Sequence, residues 1–361
     1  MSINYKRYVN RRQIFRGHIS DVYIAEDVET QLDVCLKVVD LDLVVKPHNV
    51  RYELSMLQKL HNRAKEESIN HDIICQLLGS YEIGDDLTIV MPKYAYTLES
   101  LLMGAVRQYV RVKTKFNWSG ISNGGSNSAT STQRFNVIEP DHSRELIINL
   151  LKGVAFIHKH EIIHRDLKPA NIFFKTDDIR YPIIGDFGIS YDNNNANQVR
   201  DEPTDEKYFD VSTGIYKAPE LCLGINNYEY EIDIWAVGII FTVIYSPHFK
   251  SILESKDINK DESEELAMSD LYLLTQIFKT FGTPLIEDKT NKYQELVWEE
   301  LDNDEKYHFK QFNFRFNERK SIKDILPRCE DAQITDIFNR MMYYDRTKRL
   351  QAQEAVDLFH N

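Results

Sequence analysis

The sequence predicts an α+β chain, in which a small β-rich part carrying one helix is followed by a larger, mainly helical part. Three observations lead there. At 361 residues the chain has room for two folding units of about 150 residues each. From Gln13 to about Val90 it reads mostly as short β-branched runs bounded by polar turns. Beyond Ala95 helical periodicity takes over, so residues 1–94 are expected to form the first unit and 95–361 the second. A hydrophobic content of 42% gives each unit material for a core.

The strands are DVYIAED, DVCLKVVDL and LTIVMPK. Between the second and third, Pro47 to Leu60 is expected to be helical, with Pro47 in its first turn and Val50, Leu54, Leu57 and Leu60 on one face. Residues 117–136 hold 14 Gly, Ser, Asn or Thr among 20, too few apolar groups to order themselves, and are read as a disordered insertion. A buried helix then follows, with Asp141 as its expected cap and Leu146, Ile147, Leu150, Val154 and Ile157 along its stripe. Leu253 to Leu266 carries six acids and two lysines, and reads either as a solvated segment or as a docking surface for a basic partner.

A net charge of −12 and a pI near 5.5 disfavour nucleic-acid or anionic-membrane partners. Cys35, Cys75, Cys222 and Cys329 are too widely spaced for a zinc site or a disulfide framework, so a reducing compartment, cytoplasmic and open to the nucleus, is expected. The most apolar run, Ile232 to Tyr245, is shorter than the roughly 20 residues of a membrane span and contains Asp233. No leader or membrane helix is expected.

The chemistry is carried by three strings in order: HRDLKPAN from His164 to Asn171, DFG from Asp186 to Gly188, and APE from Ala218 to Glu220. Together they make the chain resemble the eukaryotic protein kinases from about Gln13 to Phe359, which implies a two-lobed fold with ATP in the cleft. Phosphoryl transfer asks the protein mainly to position groups and to neutralise charge on phosphates and metal. Carried over by position, Asp166 would take or orient the substrate hydroxyl proton and Lys168 would stand beside the transferred group, while Asn171 and Asp186 would hold Mg²⁺. The VCLK string makes Lys37 the expected ligand of the ATP phosphates, and Glu53 its ion-pair partner.

Around Met91, the run IVMPKY matches the interlobe hinge, where Pro92 offers only its carbonyl and Tyr94 can supply the N–H for adenine. The glycine-rich loop departs from the family. Aligned on Val22, its three glycine places read Phe15, Gly17 and Ser20, which predicts a more open loop or side-chain contacts from Ser20 or His18. Asp233 is expected to brace the catalytic-loop backbone and Arg349 to pair with Glu220.

Lys168, with Thr213 in STGIYKAPE, is similar to Ser/Thr kinases. PHNVRYE, ELCLGINNY and QIFKTFGTP resemble the cyclin-dependent and mitogen-activated group, although Lys217 stands where that group has an arginine that favours proline-directed substrates. With its degenerate glycine loop, the chain is most similar to the monomeric fungal kinases that activate cyclin-dependent kinases. That resemblance implies a monomer whose protein substrate is a cyclin-dependent kinase, with a role in cell-cycle progression. A cyclin-dependent or MAP-type kinase needing its own activator, and a pseudokinase acting as a binding module, are the alternatives. Where cyclin-dependent kinases carry their activating threonine this chain has Tyr208, with Thr204 upstream, so activity without loop phosphorylation is expected, with Glu206 and Asp210 as candidate carboxylates for Arg165.

Overall fold

The computed structural model describes residues 5–43, 45–68, 73–116, 130–254, 269–303, 307 and 309–360. Five antiparallel strands form the first sheet: β1 (Tyr8–Arg16), β2 (Ser20–Asp27), β3 (Leu32–Asp40), β4 (Gly79–Ile83) and β5 (Asp86–Pro92), in the order β1-β2-β3-β5-β4. Alternation sorts their side chains. Leu36, Val34 and Val90 go to an outer cluster with Tyr8, Ala25 and Tyr81, whereas Val39, Leu87 and Ile89 join the main core. Lys37 is in phase with Val39, and its direct neighbours across the strands are Val22 and Ile89, so these face the helix side.

That helix, α1 (Val50–Glu66), begins later than expected because Asn49, not Pro47, starts it. The Asn49 side chain accepts from the Arg51 and Tyr52 amides, two donors that a preceding proline cannot satisfy. Val50, Leu57 and Leu60 are buried together with Met56, while Leu54 is half-buried.

In the second part, β6 (Tyr96–Thr97) and α2 (Leu98–Leu102) lead to a hairpin of β7 (Val110–Phe116) and β8 (Thr130–Asn136). The hairpin corrects the reading of 117–136: its last seven residues are a paired strand, and 117–129 lie outside the described residues. Overall polarity hid the strand, yet TSTQRFN is rich in threonine and ends on a buried Asn136. That side chain donates to the Ile244 and Ser246 carbonyls and accepts from the Ile138 amide, so it satisfies three main-chain groups at once. Helix α3 (Pro140–Lys159) starts on Pro140, with Asp141 inside the first turn; Glu139 precedes it and makes no side-chain cap. Its expected stripe is fully buried.

Short strands then carry the functional segments: β9 (Ile162–Ile163), β10 (Ile172–Phe174), β11 (Ile183–Ile184) and β12 (Tyr191–Asp192), with β9 paired to β12 and β10 to β11. Helices α4 (Ala196–Asp201) and α5 (Pro219–Cys222) precede α6 (Glu231–Ile244), which is buried on all sides from Ile232 to Ile244. The apolar run too short for a membrane is therefore the central helix of the larger lobe, and no described helix is long and apolar enough to cross a bilayer. Only Leu253 and Glu254 of the acidic segment are described, the first buried and the second exposed; 255–266 lie outside the described residues. The two-lobed arrangement, β-rich then helical, is the α+β fold expected of the sequence.

Asn136→Ala should strand the Ile244 and Ser246 carbonyls and lower the unfolding free energy by about 2–3 kcal/mol, measured as a reduced midpoint in thermal or urea unfolding. An unchanged midpoint would show that the hairpin is not anchored there.

Candidate active site

Lys37 projects from β3 between two carboxylates. Its Nζ lies 2.8 Å and 2.9 Å from the two oxygens of Glu53 on α1 and 2.7 Å from Asp186 Oδ1. Burial opposes the ammonium charge, but the Asp186 and Glu53 charges outweigh it and hold Lys37 protonated. Lys37 in turn is the largest influence on Asp186, whose carboxyl is lowered to about 2, so it stays ionised throughout the working pH range. Burial pushes the Glu53 carboxyl up, with Lys37 opposing it.

The catalytic loop is pinned from below. Asp233, near the start of α6, accepts the His164 amide at 2.7 Å and the Arg165 amide at 2.9 Å, and also meets His158 Nε2 at 2.9 Å. Its expected bracing role is thus visible as two main-chain hydrogen bonds. Above them Asn171 donates to the Asp166 carbonyl at 2.8 Å and to Asp166 Oδ2 at 3.0 Å. Lys168 Nζ sits 2.9 Å from Asp166 Oδ2 and 2.8 Å from the Thr213 hydroxyl, which donates to Asp166 Oδ1 at 2.6 Å. Asp166, Lys168, Asn171 and Thr213, distant in sequence, therefore form one polar cluster at the mouth of the cleft.

Asp186 adopts a positive φ of 63°, which turns its carboxylate towards Lys37 while Phe187 packs under the loop against His164, ring centroids 5.0 Å apart. His164 accepts the Asp166 amide through Nδ1 and bonds the Gly185 carbonyl through Nε2, tying the two motifs together. The pair Asn171 and Asp186 suits a hard cation. Because Asn171 spends its amide N–H groups on Asp166, its Oδ1 is left as an acceptor, and Asp186 Oδ2 makes no hydrogen bond among the described residues. One carboxylate and one amide oxygen leave the remaining ligand positions to phosphates and water, as expected for a small divalent ion. No cluster of three or more His, Cys, Asp or Glu suited to a metal occurs among the described residues.

At the end of β5, Met91 lies across from Cys35, and Pro92 closes the strand opposite Val34. Tyr94 turns its ring inward onto Phe173 at 5.5 Å, and its hydroxyl accepts the Gln76 amide at 3.1 Å. Its side chain therefore serves the hinge as a strut. In the glycine-rich loop, Gly17, His18 and Ile19 make the whole turn between β1 and β2, closed by the Gly17 amide on the Ser20 carbonyl at 2.9 Å. Phe15 is exposed at the first glycine place, and Ser20 lies at the start of β2 opposite Val39. His18 and Ser20 both line the cleft.

The activation segment corrects one expectation. Arg165 is fully buried, and its guanidinium is met by Glu202, at 2.7 Å and 3.2 Å, rather than by Glu206 or Asp210. Glu206 is exposed, and Asp210, also exposed, faces Lys217 at 3.5 Å while Lys217 reaches Asp270 at 3.0 Å. Glu202 wins because it leaves α4 at a buried turn beneath Tyr191 and Tyr228, whose rings lie 4.6 Å and 5.6 Å from the Arg165 guanidinium. Sequence reasoning missed it through searching too close to Tyr208, six residues downstream. It also missed Tyr52, whose hydroxyl donates to Asp201 at 2.5 Å, and Lys59, 2.8 Å from Asp192, which fasten α1 to the same segment. Glu220 and Arg349 form the expected buried pair, at 2.6 Å and 3.2 Å.

A lysine and glutamate from the small lobe, an acid–lysine–amide cluster and a second acid in the larger one, and a cleft between them define a phosphotransferase site. The family model for the protein kinase domain matches residues 8–359, and the chain belongs to that family. Among its relatives, the serine/threonine-protein kinase CAK1 of Saccharomyces cerevisiae is 31% identical over 268 residues, 70% of this chain and 69% of that one. The cell division control protein 2 homolog 3 of Trypanosoma brucei brucei is 27% identical over 98% of this chain and 91% of its own length. Cyclin-dependent kinase B2-1 of Arabidopsis thaliana is 28% identical over 59% of this chain and 57% of its own. The chain is a serine/threonine protein kinase of the cyclin-dependent-kinase-like group, with ATP and a divalent cation as its implied small-molecule requirements.

Two outcomes follow from this geometry. Asp186→Asn, nearly isosteric, should lower kcat by about 10²-fold or more while circular dichroism and melting stay near wild type; unchanged turnover would remove Asp186 from the site. Glu202→Ala leaves a buried guanidinium without its counter-charge and should cost about 3–5 kcal/mol of stability along with most activity, whereas Glu206→Ala should shift stability by no more than about 0.5 kcal/mol. Equal effects of the two substitutions in paired unfolding and kinase assays would contradict the assignment of Glu202.

Proposed function

We propose that this chain is a self-sufficient activating kinase that transfers the γ-phosphoryl group of Mg-ATP to the activation-loop threonine of a cyclin-dependent kinase, and so promotes cell-cycle progression. In this reading Asp166 accepts or orients the substrate hydroxyl proton, and Lys168 stands beside the transferred group. Asn171 and Asp186 hold the metal, which when bound supplies charge neutralisation at the phosphates. Lys37, kept in place by Glu53, binds the phosphates; Gly17 and Val22 cover the nucleotide, and Met91, Pro92 and Tyr94 border adenine. The enzyme acts as a monomer in the cytoplasm with access to the nucleus.

The observation that carries the reading is the buried Arg165–Glu202 pair. In switch-type kinases a loop phosphate orders the segment by meeting basic groups such as this arginine. Here a carboxylate of the chain itself occupies that place, and Tyr52–Asp201 and Lys59–Asp192 hold α1 against the loop without a second subunit. Likeness to CAK1 and to cyclin-dependent kinases agrees with a place in that signalling group.

The purified chain, stripped of phosphate by a broad-specificity phosphatase that is then removed, should phosphorylate an unmodified cyclin-dependent kinase on its activation-loop threonine, located by mass spectrometry. Activity restored only by a cyclin or an upstream kinase would point to a conventional member of the group, and no transfer to any protein would leave a binding module.

A further inference from the structure

At the phosphate end of the cleft the turn allows less close backbone approach than a glycine-rich loop does. Two of its three glycine places are filled by Phe15 and Ser20, and the Gly17 amide is committed to the Ser20 carbonyl at 2.9 Å. A Cβ on Gly17 would stand 3.0 Å from that same carbonyl, so the turn is tightly closed. The cavity at the turn, about 210 Å³, is lined by Gly17, His18, Lys37, Glu53 and Asp186 among others. His48 also lines it, and neither the motifs nor the cluster around Asp166 accounts for that residue.

His48 lies between β3 and α1, one position before the Asn49 cap. Its backbone is fixed on both sides: the His48 amide bonds the Val45 carbonyl at 3.0 Å, and the next amide, of Asn49, bonds the Gly188 carbonyl at 3.2 Å. The ring is half-buried, and among the described residues its nitrogens make no hydrogen bond. Such a ring has lost part of its hydration without gaining a partner, which is the state of a group poised for a ligand.

We propose that His48 is a further nucleotide-binding residue, donating an imidazole N–H to the terminal phosphate oxygens of ATP from the segment that leads into α1. The charged groups around it are Lys37 and Lys168, which disfavour a protonated ring, and Asp186 and Asp166, which favour one; burial is the largest influence and lowers its pKa. A neutral imidazole keeps one N–H donor. It therefore adds a hydrogen bond to the triphosphate without adding a third positive charge beside the two lysines.

This inference rests on the cleft being the ATP site, and the experiment separates the two. Dissociation constants for ATP and for adenosine are measured by calorimetry on the full chain, on His48→Ala and on His48→Gln, with melting curves to confirm folding. His48→Ala should weaken ATP about tenfold and leave adenosine unchanged, since one hydrogen bond to a charged oxygen is lost. His48→Gln, which retains an N–H, should recover most of the affinity. Equal ATP affinities in all three proteins, or parallel losses for ATP and adenosine, would overturn the role of His48 alone. Failure of the wild-type chain to bind either ligand would overturn the site reading and this inference with it.

Discussion

A guanidinium cannot shed its proton at any pH the protein meets, so burying Arg165 obliges the fold to supply an anion and a surrounding of donors' partners or π faces. Glu202 provides the anion, and Tyr191 and Tyr228 the faces. The carboxylate also accepts the Tyr208 amide, and the Glu202 carbonyl accepts the Tyr191 hydroxyl, so one neutralised charge fixes both ends of the turn. Lys207 is drawn into the same place, with its ammonium on the Thr204 and Tyr228 carbonyls and on Glu229. Such a pair adds little net stability over an apolar replacement; what it fixes is a single conformation of the segment, because every alternative leaves a buried charge unmatched.

The consequence travels to the nucleotide cleft through adjoining contacts. Asp201, next to Glu202, receives the Tyr52 hydroxyl; Tyr52 neighbours Glu53 on α1; Glu53 holds Lys37, and Lys37 holds Asp186. On the other side Arg165 precedes Asp166, and both backbone amides before that acid end on Asp233. Asp166, Lys37 and Asp186 therefore share supports rooted in one loop. Pre-organisation of this kind is where most of the rate in phosphoryl transfer originates.

How much of this was legible in the sequence depended on how local the cause was. HRDLKPAN, DFG and APE marked the residues of the candidate site, and the VCLK string singled out Lys37, which the pairing of β3 with β2 and β5 puts on the helix side of the sheet. Helix starts were misjudged because a proline and an aspartate were credited where Asn49 and Pro140 act, a choice settled by which backbone donors remain open. Strand β8 was lost in a polar average that weighed composition over its threonines and its terminal asparagine. Glu202 and Tyr52 escaped for a common reason: each acts on a partner from another segment, 37 and 149 residues away, and nothing in one sequence announces such a meeting.

Hydrogen exchange on the activation segment tests the central claim most directly. Amides from Glu202 to Tyr208 are followed by mass spectrometry in the phosphate-free wild-type chain and in Glu202→Gln, which keeps the shape and removes the charge. The account predicts slow exchange across this stretch in the bare wild type, with the Tyr208 amide protected by the carboxylate, and markedly faster exchange once the charge is gone. Rapid exchange in the unphosphorylated wild type, slowed only after a phosphate is added to the loop, would contradict it.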